Sequence, residues 1–342
     1  MGVGHGSDRR NGLECEPVGG FEDIGGMSCE EVRTPMRARV ETVWSALNAS
    51  LRREARLRMV LKSYCASLTG LLVARGDAMP ELRRSGVEQP LDALIVTALQ
   101  SERRAVRSHL SDVCSRHIGA VTADIGTFDT GSDGSGGRAV QIGVIEVGPG
   151  NIDAATHTTQ AVMCLRPSMV LVVGVAGGIK DVAIGDVVVS NKIYWSESGR
   201  SEAELDITWP DFGPVSLELV QCARAVASRD EWQSRFFSSE PEAAAPRAWV
   251  APIAVGERVI ASSRSAGARR IRRPCSDALA VAMEDVGVSR ATELAGVRSL
   301  SIRGISDLLD GKEAADAAGG QPVAAAHAAA FAFELLSELQ RK

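Results

Sequence analysis

The hydrophobic pattern divides the chain into two regimes. Between Pro35 and Leu68 apolar positions recur with a helical period: Val40, Val43, Trp44, Leu47 and Leu51 fall at i, i+3, i+4, i+7 and i+11, and Leu57, Val60, Leu61, Tyr64 and Leu68 continue the stripe. Arg52, Arg53, Arg56, Arg58 and Lys62 take the other face. From Asp92 onward, short runs that are apolar throughout alternate with helix-period segments. That alternation predicts an α/β domain whose strands are buried on both faces. The chain therefore reads as a flexible polar tail over 1–30, a helical appendage over 31–76, a linker over 77–91 with Pro80, Gly86 and Pro90, and a main domain over 92–342. A solvated basic face and a docking surface for a protein partner both fit the appendage.

Within the main domain, strands are predicted over 93–97, 121–127, 139–147, 169–173, 186–190, 250–262, 278–283 and 299–303. Helices are predicted over 101–110, from Asn151 as N-cap to Leu165, over 215–228 and over 322–339. The organising stretch is Met169–Ser190, two buried strands read as a hairpin around Gly174, Gly177 and Gly178. These glycines are expected to adopt positive φ and to let a ligand approach the backbone, at the strand end where open α/β sheets bind. Residues 192–213 read as polar loops over that site, and 230–246 as a surface insertion. Gly148-Pro149-Gly150 lacks the third glycine of a dinucleotide fingerprint, Asp153 standing in its place.

Composition narrows the functional classes. A net charge of −5 and an aromatic content of 4% argue against nucleic acid as a partner. No stretch approaches the roughly 18 apolar residues of a membrane span, and the N-terminus has no apolar signal run. Seven scattered cysteines form no CxxC pair, which suits reduced thiols in a soluble cytoplasmic protein. Cys114 and Cys164 are expected as small core residues in helical contexts. His157 and His327 read as packing or surface residues, and nothing has metal-ligand spacing.

Six motifs follow one another: ALQSE from Ala98, GPGNIDAA from Gly148, VGVAGGIKDVAIGDVVVS from Val173, GERVIAS from Gly256, AMEDVG from Ala282 and IRGISDLLDGK from Ile302. Together they resemble the nucleoside phosphorylase/nucleosidase superfamily over about Asp92 to Leu339, the methylthioadenosine/S-adenosylhomocysteine nucleosidase branch being nearest in pattern. The resemblance implies a three-layer phosphorylase/hydrolase-like fold, a central mixed twisted sheet flanked by helices, in a homo-oligomer. It also implies cleavage of a purine–ribose N-glycosidic bond in a small-molecule nucleoside or nucleotide, without metal or cofactor.

The resemblance assigns roles to particular residues. Asp307 would protonate the leaving base at N7, which asks for a carboxyl held protonated by its surroundings; capping a helix is a second, compatible role. Glu102 would activate water, or serve as a first-turn acid on the helix dipole. Glu284 would accept hydrogen bonds from the ribose hydroxyls, with Met283 on the sugar face. Ala176 and Gly177 would form the floor, Val259 and Ile260 would flank the base, and Ser306 would join the binding set. The motif departs from the family's E-M-E-G or E-M-E-A at Ala282 and Asp285.

Hydrolysis is the leading expectation, since no Gly-Asp phosphate loop is present, although Arg103 and Arg104 could approach an anion. Lys192, Ser196, Ser198 and Arg200 could hold the phosphates of a nucleotide, or form a solvated loop. The alternatives are a phosphate-dependent phosphorylase and a catalytically silent nucleotide sensor. A regulated enzyme that depletes nucleotides would account for the basic appendage.

Overall fold

The structure, a computed structural model, describes residues 90–131, 137–202, 206–209, 211–236 and 245–341. The tail, the appendage and the linker up to residue 89 lie outside the described residues. In chain order the first elements are β1 (Ala93–Thr97), α1 (Gln100–Arg107), β2 (Ser111–Ile118), β3 (Val121–Asp129), β4 (Ala139–Glu146), α2 (Asn151–Leu165), β5 (Met169–Gly178) and β6 (Val187–Trp195). Three short strands follow, β7 (Gly199–Ser201), β8 (Asp206–Thr208) and β9 (Asp211–Gly213), then α3 (Leu217–Ala227) and a 3-10 helix (Asp230–Arg235). The chain ends with β10 (Ala248–Val255), α4 (Ala266–Arg272), β11 (Ala280–Ala282), α5 (Asp285–Ala295), β12 (Arg298–Asp307), α6 (Lys312–Ala317) and α7 (Gly320–Gln340).

The expected three-layer architecture is borne out. The sheet runs β11-β10-β6-β12-β5-β1-β4-β3-β2 and mixes parallel with antiparallel neighbours. All five residues of β1 are buried, and its ALIVT run lies between β4 and β5, parallel to both. On one face Val106 of α1, Leu219 of α3 and Phe331 of α7 join the sheet's core; on the other, Ala154 and Val162 of α2 pack with Val288 of α5. α7 lies against β12 because Gly304 has no side chain: a Cβ there would stand 1.9 Å from the Ala324 carbonyl oxygen. β11 pairs with both β10 and β5, so β11, β10, β6, β12 and β5 close into a ring whose interior holds Ala176, Val188, Ile253, Ala280 and Ile305.

Several local expectations are corrected. β5 and β6 form no hairpin: β12 lies between them, parallel to β5 and antiparallel to β6. Gly174, Gly177 and Gly178 belong to β5 itself and keep negative-φ backbone; the turn glycine is Gly185, at φ 92°. Asn151 is the first helical residue of α2, and Gly150 is its N-cap. The freed Asn151 side chain donates to Gly256 O at 3.2 Å and accepts from Gly287 N at 2.9 Å, tying the end of β10 to the start of α5. Cys114 lies exposed on strand β2, in no helical core. The predicted surface insertion brings Trp232 into the core with no exposure; residues 237–244 lie outside the described residues. No helix among the described residues is long and apolar enough to cross a membrane.

Candidate active site

β1, β5, β10, β11 and β12 each deliver site residues at or just beyond their C-terminal ends. After β1 the chain turns into α1, and Glu102 in its first turn folds back over the helix start. Its Oε2 accepts from Ala98 N at 2.7 Å and Leu99 N at 2.9 Å, satisfying amides that the helix leaves open. Its Oε1 accepts from Val175 N of β5 at 2.8 Å. Glu102 is 1% exposed. Burial pushes its carboxyl above the usual carboxylate range; Arg303 and the amides of Leu99 and Val175 oppose the rise, and Glu284 adds to it.

Glu284 is the N-cap of α5. Its Oε1 accepts from Gly150 N at 3.3 Å and its Oε2 from Arg303 Nη2 at 3.0 Å. Burial raises this carboxyl too, against Arg303 and with Asp285 adding to the rise. Arg303, in the middle of β12, was not among the residues singled out from the sequence. Burial works against its charge, but Asp285, Glu284 and Glu102 outweigh that and hold its pKa above the ordinary arginine value. An arginine amid the alternating serines and aliphatic residues of SLSIRGIS, a segment that reads as a strand, was the available signal, since a buried charge requires partners. The carboxyl groups of Glu102 and Glu284 thus converge on the Arg303 guanidinium.

Gly174 leaves the space for this meeting. A Cβ there would stand 2.6 Å from Glu102 Oε1 and 2.7 Å from Arg303 Nη1. Both groups are pinned by hydrogen bonds, so Gly174→Ala is expected to shift Glu102 and lower kcat by about 100-fold. Overpacking of about 1–3 kcal/mol should lower Tm by several degrees. A variant with wild-type kcat and Tm would refute this.

Asp307 closes β12 and caps no helix, α6 starting at Lys312 with Gly311 as its cap. Asp307 Oδ2 accepts from Ser306 Oγ and Lys312 Nζ, both at 3.0 Å, and Oδ1 from Leu309 N at 3.2 Å. A cavity of about 310 Å³ lies between these groups. All nine residues expected at the site line it: Glu102, Ala176, Gly177, Val259, Ile260, Met283, Glu284, Ser306 and Asp307. Arg258, Lys312 and Gln321, absent from that set, line it as well, with Leu99, Pro149 and Val281.

Other expected anion holders stand elsewhere. Arg103 pairs with Asp124 at 2.8 Å and is not in the cavity wall. Arg104 is exposed on α1 and does not line it either. Lys192 reaches Tyr194 and Asp277, and Ser196 donates to Val255 O. Ser196, Ser198 and Arg200 line a separate cavity of about 280 Å³ with Glu197 and Arg270, which pair at 3.0 Å. The described residues of 192–213, expected as loops over the site, are thus built largely into β6, β7, β8 and β9, and none of them lines the cavity.

The phosphorylase superfamily profile matches residues 92–340. The chain is 24% identical over 247 residues to a 5′-methylthioadenosine/S-adenosylhomocysteine nucleosidase of Actinobacillus succinogenes, covering 72% of this chain and 98% of that protein. It is 27% identical over 236 residues to the ATP nucleosidase Cap17 of Escherichia coli, covering 64% of this chain and 46% of that protein. Among solved structures, a 5′-methylthioadenosine/S-adenosylhomocysteine nucleosidase of Colwellia psychrerythraea, in complex with adenine, shares the fold at TM-score 0.60 and 21% identity, covering 73% of this chain and 96% of that one. The resemblance carried by the six motifs is borne out, and with the profile spanning the entire described domain, the chain belongs to the phosphorylase superfamily.

Proposed function

We propose that this protein hydrolyses the N-glycosidic bond of an adenine nucleoside or nucleotide and releases the free base. The observation that carries this reading is the convergence of Glu102, Glu284 and Asp307, from three segments of the chain, on one cavity. Glu102, both oxygens fixed by backbone amides, takes a proton from the water that attacks C1′. Its raised pKa makes it a better base than a surface carboxylate. Glu284 accepts from the 2′- and 3′-hydroxyls and steadies the charge that develops on the ring. Met283 packs on the sugar, Val259 and Ile260 flank the base, and Ala176, Gly177 and Ser306 form the floor. Asp307 protonates N7 as the base departs, and its contacts with Ser306, Leu309 and Lys312 hold the carboxyl in place for that transfer.

Two features favour water over phosphate as the nucleophile. A phosphate beside C1′ would meet the carboxylates of Glu102 and Glu284, while Arg303 is already engaged by Glu284 and Asp285. Arg103 faces Asp124 instead of the cavity. For the 5′ group, apolar Leu99 and Val281 suit a thioether, whereas Arg258 and Lys312 in the same wall suit the phosphates of a nucleotide. The two sequence relatives, a methylthioadenosine/S-adenosylhomocysteine nucleosidase and an ATP nucleosidase, span both choices. The same reading places the enzyme in the cytoplasm as a homo-oligomer, with a protein partner for residues 31–76.

The test is adenine release from adenosine, methylthioadenosine, S-adenosylhomocysteine, AMP and ATP in phosphate-free buffer. Release without phosphate is expected, and the fastest substrate defines the 5′ group. Release that requires added phosphate would instead make the protein a phosphorylase. Tight binding without release would make it a sensor.

A further inference from the structure

Asp285 follows Glu284 at the start of α5 and is completely buried. Its Oδ1 accepts from Arg303 Nε at 3.1 Å and from the Ser301 hydroxyl, and its Oδ2 accepts from Arg303 Nη2 at 2.7 Å. A carboxylate in this two-point geometry fixes the plane of a guanidinium. With that edge committed, Nη2 also reaches Glu284 Oε2 at 3.0 Å and Nη1 reaches the Val175 carbonyl at 3.3 Å. Val175 in turn gives its N–H to Glu102. One hydrogen-bonded path therefore runs from Asp285 through Arg303 to Glu284 directly and to Glu102 by way of Val175, both of which line the cavity. Position 285 is small in the motif this chain otherwise resembles, so a buried acid here calls for a local reason.

We propose that Asp285 is a positioning residue for the hydrolysis, orienting and neutralising Arg303 so that Glu284 is aimed at the ribose hydroxyls and Glu102 stays basic enough to activate water. This rests on the roles proposed above for Glu102 and Glu284. Arg303 of β12 and Glu284 at the cap of α5 act on Glu102, and the charged groups Asp307, Lys312 and Arg258 stand in the same cavity wall. Arg303 is the one that most strengthens the ionised form of Glu102. Asp285 absorbs that positive charge from behind. Without it, the guanidinium would act in full on Glu102 and Glu284, favouring their ionised forms and weakening Glu102 as a base.

The test compares the full chain with Asp285→Asn and Asp285→Ala, using the fastest adenine substrate and its 2′-deoxy counterpart. Two readouts separate positioning from mere stability. The acid limb of the kcat/KM profile is expected to move to lower pH by at least about half a unit in both variants, because both remove the charge. The preference for the ribose substrate over its 2′-deoxy counterpart is expected to fall by about tenfold in Asp285→Ala. It should fall less in Asp285→Asn, which keeps one acceptor for Arg303. Folded variants with the wild-type limb and preference would overturn the proposal. So would failure of both variants to fold, which would assign Asp285 to the fold alone. If the wild-type chain releases no adenine, the proposed function fails on its own. The positioning claim is then read by calorimetry with adenosine and 2′-deoxyadenosine: a preference lost in Asp285→Ala supports it, and an unchanged one overturns it.

Discussion

Replacing Glu102 by glutamine is expected to lower kcat for adenine release by about 10³-fold, within the usual range for loss of a general base, with little change in KM. The substitution keeps shape but removes the proton acceptor. It also creates a local conflict. Ala98, Leu99 and Val175 all present N–H groups to Glu102, two on Oε2 and one on Oε1. A glutamine must place its NH2 against one of these donors, leaving a buried donor unpaired at a cost of about 1–3 kcal/mol. A modest fall in Tm should therefore accompany the loss of rate.

In the wild type, kcat/KM should decline as pH falls through the Glu102 pKa, and that midpoint should lie above the ordinary glutamate value of about 4.3. The stability linkage has the matching sign. Folding raises this pKa, so the stabilisation is complete below the unfolded value and is lost as pH rises through the folded one. A Glu102→Gln enzyme within a few-fold of wild type, with the same acid limb, would remove Glu102 as the base.

How much of this was legible in the sequence depended on whether one residue carried its own signal. β1, β5 and β6 were readable because a strand buried on both faces must be apolar throughout. The nine expected site residues could be brought together because each stands in a short motif near a strand end or at the start of α1. What could not be read was pairing. Nothing in Met169–Ser190 announces that β12 will enter between β5 and β6, since that contact joins segments more than a hundred residues apart. β2 was missed for a different reason. It is an edge strand, exposed at six of its eight positions, so SDVCSRHI has no alternation to detect. Asp285 stood out in the sequence as an acid where the motif is small, whereas Arg303, a charge within a strand that proves buried, was not singled out. Only their juxtaposition explains both. Conversely, Arg103 and the Lys192–Arg200 segment looked suited to anions, but Asp124, Asp277 and Glu197 stand beside these cations or line their cavity.

Asp307→Asn tests the other end of the reaction. Adenine is a poor leaving group as an anion, so a donor at N7 should matter most when the base is most basic. Asparagine can still donate a hydrogen bond to N7 but has no acidic proton to deliver. Its carbonyl can keep one of the contacts from Ser306 or Leu309, and Lys312 retains Asp316 at 3.7 Å, so the cavity should survive the change. We expect kcat for the unsubstituted adenine substrate to fall by about 10³-fold. Across adenosines whose bases carry increasingly electron-withdrawing substituents, the deficit should shrink, because a base that leaves readily as an anion needs less help. A plot of log kcat against leaving-group basicity should accordingly be steeper for the variant than for the wild type. Parallel lines would mean that Asp307 positions the base without protonating it, and the proton would then have to come from elsewhere, with Lys312 the next group to replace.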